Sequence, residues 1–320
     1  MLPRFLYPDD PILLISALAL GLVLDVAYPY HSGILLRIHP VHTSYFMAKK
    51  LGRPYGSGAL GVATWLVVVG THMLLYSALL YIAWSIHPIL WILAAGWVLK
   101  VSASLRLLID TVRRVGEALD KGDIDGARYW AQQIVRRNVY KLEPEHVASA
   151  AIESLAESLV DGFTSPLLYY AVLGPLGALL QRLANTLDGA LGFLTPEYRD
   201  VGWFSAKVDT VLNYVPARLT AVLILLMSPL VKGESLTWAV RTWRVFSRAT
   251  PSVNAGHPMS AMAGALGVWL EKPEAYRLGD RHARSPSPRD IEKGIRASMG
   301  VAVTTIALVI AIVLMIGHVA

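Results

Sequence analysis

The stretch GALGVATWLVVVGTHMLLYSALLYIAWSIHPILWILAAGWVLKVSASLRLL, residues 58–108, decides the class of fold. It holds two apolar runs, 58–82 and 88–108, joined by a linker, SIHP at 85–88, that carries no Lys or Arg. Each run is near the roughly 20 apolar residues that a helix needs to cross a bilayer. Three further runs, 11–28, 214–231 and 299–317, have the same character. Over all 320 residues, 54% are hydrophobic and 16% charged, whereas ordinary soluble domains are roughly 25% charged. The pattern predicts an all-α, polytopic integral membrane protein with about four to six membrane helices, some broken or re-entrant, and helical cytoplasmic loops.

The run at 11–28 follows Pro3, Arg4, Asp9 and Asp10 rather than a basic stretch, and no small-residue cleavage site follows it. It reads as an anchor and not a signal peptide. The absence of cysteine excludes disulfides, thiolate metal sites and a cysteine nucleophile. The formal net charge of +6 does not call for nucleic acid, because Lys and Arg gather beside the apolar runs, where cytoplasmic loops are basic. The lipid bilayer is the expected partner, and no nucleic acid is expected.

The loop 29–57 carries Arg37, Lys49, Lys50 and Arg53 with no acid, which places it in the cytoplasm. Residues 232–298 hold eleven Lys or Arg, among them Arg241, Arg244 and Arg248, against six acids, and belong on the same side. Residues 109–150 read as a cytoplasmic helical hairpin, with KGDIDG as its turn and Pro144 near a helix start. The expected organisation is one membrane domain, 1–320, with a cytoplasmic helical insertion at 109–165 and a cytoplasmic basic loop at 232–298. It sits in the cell membrane with its active site facing the cytoplasm. Between those loops, 163–183 is interrupted by Pro166, Gly174 and Pro175. Full crossing by 163–183 and 214–231 would leave the polar segment 184–213 on the far side, so re-entrant or partly spanning helices are the alternative.

In AIESLAESLVDG, residues 151–162, Glu153, Glu157 and Asp161 recur at intervals of four. On a helix they fall within an arc of roughly 80°, where like charges repel and a hard cation such as Mg²⁺ is welcome. A solvated face, or pairing with Arg136 and Arg137, is the competing reading. The next polar block, 182–218, places Asn185 and Asp188 three apart and Asp209 and Asn213 four apart. Arg182, Arg199, Lys207 and Arg218 add cations suited to phosphate or carboxylate. Acids for a metal beside bases for phosphate suggest phosphoryl chemistry, and ordinary loop charges are the alternative. The block TPSVNAGHPMSAMAGALGV at 250–268 reads either as a phosphate cradle or as a small-residue packing segment. Asp25 lies in the first apolar run, where an acid is a functional candidate by default or else a hydrated helix end. In HPVH at 39–42, His39 reads as a loop-fixing or substrate residue rather than a zinc ligand.

Together these stretches resemble the adenosylcobinamide-phosphate synthases of cobalamin biosynthesis, the CbiB/CobD family. The matching residues are LD at 24–25, HPV at 39–41, AAIESLAES at 150–158, DG at 161–162, NTLDGALGF at 185–193, YRDVGWFSAKVD at 198–209, PARLTA at 216–221 and NAGHPMSAMAGALGV at 254–268. The resemblance covers nearly the whole chain. It departs from the family pattern at YPY after Asp25 and at Asn138, Ser158 and Thr210.

The resemblance implies an ATP- and Mg²⁺-dependent amide ligase that joins (adenosyl)cobyric acid to aminopropanol or its O-phosphate. It implies that Glu153, Glu157 and Asp161, with Asp188, hold the metal. Asn185, Arg199, Lys207, Asp209, Asn213, Arg218 and Asn254 would bind nucleotide and substrate. A carboxylate or His39 would take the proton from the attacking ammonium. Tyr198, Trp203 and Phe204 offer an aromatic face for a corrin, or interfacial anchors. Other cobalamin-pathway enzymes are candidate partners of the basic loops. The rival readings are an AmpE-like membrane sensor or transporter and a Mg²⁺-dependent intramembrane prenyltransferase.

Overall fold

The computed structural model describes residues 2–231, 235–280 and 282–319. In chain order the helices before residue 192 are α1 (Pro11–Ala27), α2 (Gly33–Arg37), α3 (Pro40–Leu51), α4 (Gly58–Ile86), α5 (Pro88–Ser102), α6 (Arg106–Asp120), α7 (Ile124–Gln132), α8 (Pro144–Leu159) and α9 (Ser165–Leu191). After it come α10 (Trp203–Leu212), α11 (Tyr214–Met227), α12 (Leu236–Phe246), α13 (Gly256–Leu266), a hairpin of β1 (Leu270–Lys272) and β2 (Tyr276–Leu278), and α14 (Pro288–Val319).

Proline punctuates the starts. Pro11, Pro40, Pro88 and Pro144 each open a helix, where the missing N–H costs no hydrogen bond. The residue before often caps it: Asp10 accepts from Ile12 N at 2.9 Å, His39 Nδ1 from Val41 N at 3.2 Å, and His87 Nδ1 from Ile89 N at 3.1 Å. The turn expected at KGDIDG forms where Gly122 adopts φ 74° and Asp123 caps α7. At the start of α14, Asp290 accepts from the N–H and hydroxyl of Ser287 and from both ends of the Arg284 guanidinium.

Among the described residues, four helical stretches are long and apolar enough to cross a bilayer: Gly58–Ile86, Pro88–Asp120, Pro144–Leu191 and Pro288–His318. The bent pair α10 and α11, interrupted at Asn213, makes a fifth if it counts as one span. This is the polytopic all-α protein that the apolar runs predict, with one short hairpin added. Helix α1 is shorter than the anchor expected at 11–28. Its 17 residues rise about 25 Å, less than a hydrocarbon core of about 30 Å. Pro29 ends it, because the residue before a proline is pushed out of the helical region.

The separate helix expected at 163–183 is instead part of a longer one. Helix α8 passes through a π turn, Val160–Thr164, into α9, which kinks at Gly174 (φ 69°, ψ −162°) before Pro175. A Cβ at Gly174 would collide with the Leu6 carbonyl, so the kink needs glycine both for its φ and for this close approach.

The chain forms two compact units. The first comprises Met1–Ser104, Ser165–Leu212 and Ile306–Ala320. Here α1 packs along α5, and α9 receives α3, α4, α5 and α10. Gly21 and Gly96 meet at the α1–α5 contact, where a side chain on either would strike the other helix. One turn further along both helices, Asp25 and Lys100 form a buried ion pair at 3.3 Å. Helices in lipid gain little from hiding apolar surface, so close approach and internal pairing hold such a contact together.

The second unit comprises Leu105–Thr164 and Asn213–Thr305. Its centre is α13, buried from Pro258 to Leu266 between α11 and α12. Helices α6 and α7 pack as a hairpin, and α8 carries β1 on one side.

Candidate functional site

Helix α8 treats its acids unequally. Glu153 is only 4% exposed, and both carboxylate oxygens are engaged. Arg137 donates from Nη2 to Oε1 at 3.0 Å and from Nη1 to Oε2 at 3.3 Å. Ser149 Oγ donates to Oε1 at 2.8 Å, and Tyr276 OH donates to Oε2 at 2.6 Å. Ser149 Oγ also accepts from Glu271 N at 2.7 Å, so the network clamps the β-hairpin to α8. Burial and the adjacent Glu153 charge push the Tyr276 phenol far up, which keeps it a donor. The structure therefore brings Glu153 to Arg137, the pairing that spacing alone left open beside the metal.

Glu157, one turn on, is exposed, and Asp161 lies half-buried in the π turn. A π turn bonds i to i+5, so the regular α-helical register runs from Glu153 to Glu157 and changes at Val160, just before Asp161. Among the described residues, no three His, Asp or Glu form a group that could hold a metal ion.

A cationic cluster forms in the same unit at the start of α13. Arg218 Nη1 donates to Asn254 Oδ1 at 2.7 Å, and Nη2 donates to Val253 O at 3.1 Å. Its guanidinium also lies 3.5 Å from the Tyr214 ring centroid. His257 Nδ1 accepts from Trp243 Nε1 at 3.2 Å. Burial, then Arg218 and Arg248, push the His257 pKa down to about 4, so the ring is neutral at pH 7. Two guanidiniums around a neutral imidazole, next to the first N–H groups of a helix, attract anions. The rest of the small-residue run is a packing segment: a Cβ at Gly264 would strike the Ala239 backbone and Thr242 of α12. The packing reading of 250–268 thus applies to α13.

The first unit holds the other predicted residues except Asn213, which belongs to the second. Asn185 Nδ2 donates to Asp209 Oδ1 at 3.2 Å, joining α9 to α10. Asp188 is half-buried, one turn along α9 from Asn185. Lys49 Nζ donates to Tyr198 OH at 2.6 Å and lies 4.2 Å from the same ring centroid. Arg182 Nε donates to Ser102 O at 2.7 Å. Arg199 and Lys207 are exposed. Asp209 lies in α10, and buried Asn213 sits in the break between Leu212 and the start of α11.

His39 is held neutral as well. Burial, then His31, Arg182, Lys100 and His42, push its pKa down to about 3. Because Nδ1 accepts from Val41 N, the proton sits on Nε2, and the ring offers an N–H donor rather than a free base. His31 meets it edge-on, with centroids 4.6 Å apart.

Sequence reasoning did not single out Tyr276, His257 or Lys100. Tyr276 reaches Glu153 across 123 positions, which no spacing rule detects. A signal for Lys100 was present, since it is a charge inside the apolar run 88–108, and Asp25 in the first run is an opposite charge at similar depth in an apolar stretch.

Comparison with known proteins agrees with the family resemblance. The model of the family described as CobD/Cbib protein matches residues 18–316. The chain is 50% identical over 297 residues to the probable cobalamin biosynthesis protein CobD of Aeropyrum pernix, covering 93% of this chain and 91% of that protein. It is 35% identical over 268 residues to the protein of that name from Methanothermobacter thermautotrophicus, covering 83% and 87%. It is 32% identical over 303 residues to that from Pyrococcus furiosus, covering 93% and 98%. No solved structure matches. The chain belongs to the CobD/CbiB family.

Proposed function

We propose that the chain acts in cobalamin biosynthesis as an ATP-dependent amide ligase. It joins a propionate side chain of (adenosyl)cobyric acid to (R)-1-aminopropan-2-ol O-phosphate, or to aminopropanol, giving (adenosyl)cobinamide phosphate in the first case. The observation that carries the reading is the Arg218 guanidinium, held by Asn254 and Val253 near Arg248 and neutral His257, in a chain that the family model covers from 18 to 316. The names of its relatives point to the same pathway.

A carboxylate is a poor acyl donor. ATP would transfer its terminal phosphoryl group to the propionate, releasing ADP, and the amine would then displace phosphate to form the amide. The Arg218 guanidinium, oriented by Asn254 and Tyr214, would bind phosphoryl oxygens or corrin carboxylates, with Arg248 beside it. Neutral His257 adds no competing charge there. Mg²⁺, when bound, neutralises the charge that develops in phosphoryl transfer. Glu157 and Asp161 suit the small protein share of such a site, because Mg²⁺ takes one or two carboxylates and completes its shell with phosphate and water. Glu153 is better placed to position this region than to ligate. In the first unit, Asn185, Asp188, Asp209, Arg199 and Lys207 are candidate nucleotide- and substrate-binding residues, and His39 can donate through Nε2.

The test is turnover by detergent-purified protein supplied with adenosylcobyric acid, aminopropanol phosphate, ATP and Mg²⁺, read as ADP release and corrinoid mass. Amide product that requires all four components is expected. No product from protein shown to be folded would overturn the assignment. Glu157→Ala should abolish turnover in a folded protein, and wild-type rates in that variant would sink its metal role.

A further inference from the structure

Helix α2 is a soluble-protein anomaly: none of its five residues, GILLR, is buried. Ile34 is 73% exposed, and Ile38, just beyond the helix, is 57% exposed. Helix α3 continues the surface. Its Pro40, Ser44 and Ala48 face inward, and the helix packs on α9, while Tyr45 and Phe46 point outward. Arg37 and Lys50 are exposed on the same segment, and no Asp or Glu occurs between residues 29 and 57. Exposed aliphatic and aromatic side chains mixed with uncompensated cations fit the boundary between acyl chains and headgroups. The location agrees, because the segment ends at Gly58, the first residue of a helix long and apolar enough to span.

We propose that α2 and α3 form an interfacial element. It lies in the membrane surface without crossing, inserts Ile34, Ile38 and Phe46 below the headgroups, and selects anionic lipid through Arg37 and Lys50. Cations flanking an inserted apolar face draw it toward negative headgroups, by roughly five-fold in partition for each residue near the surface. This goes beyond the ligase reading and does not depend on it.

The chain has no cysteine, so single labels are unambiguous. Ile34→Cys, Ile38→Cys and Phe46→Cys, each carrying an environment-sensitive fluorophore, are compared in phosphatidylcholine nanodiscs with and without phosphatidylglycerol. Asp125→Cys serves as the water-exposed control, since its side chain is 90% exposed. Nitroxide-bearing lipid should quench the three labels. Aqueous iodide should quench them at least about three-fold less than the control, with further protection when anionic lipid is added. The Arg37→Gln/Lys50→Gln double variant should lose that added protection. Iodide access equal to that of the control in both lipids overturns the proposal. So does protection that persists in detergent and rises with protein concentration, which would mean that a second copy covers the face. Protection identical in both lipids overturns the selection of anionic lipid.

Discussion

Glu153 and Glu157 stand one turn apart on α8 and have opposite surroundings. Glu153 is buried against Arg137, so Glu153→Ala leaves a guanidinium uncompensated and should cost about 3–5 kcal/mol. Tyr276→Phe removes one bond to a charged acceptor and should cost about 1.5–3 kcal/mol. Tryptophan-fluorescence melting in detergent measures both. A Glu153→Ala protein as stable as wild type would show that the clamp is not structural. His39 makes a pH prediction. Below the ordinary imidazole value of 6.5 the unfolded ring takes a proton that the folded ring, held to about 3, does not take. This group therefore lowers stability as pH falls from about 6.5 toward about 3 and contributes no slope above that window. His39→Asn keeps a capping side chain and should flatten the acid side of the melting-temperature profile. An unchanged profile would mean that the ring titrates normally.

Among elements, α13 and the α8–α9 run show how backbone packing constrains the site. Gly264→Val would push a branched side chain into the Ala239 backbone, and overpacking of this kind should cost about 1–3 kcal/mol, read as a lower melting midpoint. The midpoint of wild type would show that α12 can move aside. The start of α8 was legible from Pro144, because a proline in the first turn of a helix acts locally, whereas α3 lies in a segment that reads as a loop. The π turn was not legible. VDGFT at 160–164 carries no local mark of an extra residue, and the four-residue acid spacing ran straight through it. Side-chain clamps from distant segments were equally hidden. Asn185 and Asp209 were each picked out by type, but their pairing depends on how α10 returns to α9.

Over the whole molecule, α4 predicts a topology. Its 29 residues rise about 43 Å, more than the hydrocarbon thickness. Cysteines placed singly at Arg53 and His87 should therefore react with a membrane-impermeant maleimide from opposite sides of sealed, oriented vesicles. Reaction from one side only would turn α4 into a hairpin or a surface helix.

The sequence by itself determined that the chain is helical, that it enters the membrane several times and that it belongs with the CbiB/CobD proteins. These follow from apolar length, loop charge and short motifs, all of which are read locally along the chain. Only the tertiary structure decided that Glu153 is buried against Arg137 and Tyr276 while Glu157 is exposed. Only it showed that Lys100 answers Asp25 and that His39 and His257 are neutral. Those outcomes depend on burial and on partners far away in sequence, and the energy of a charge depends on its surroundings rather than on its spacing.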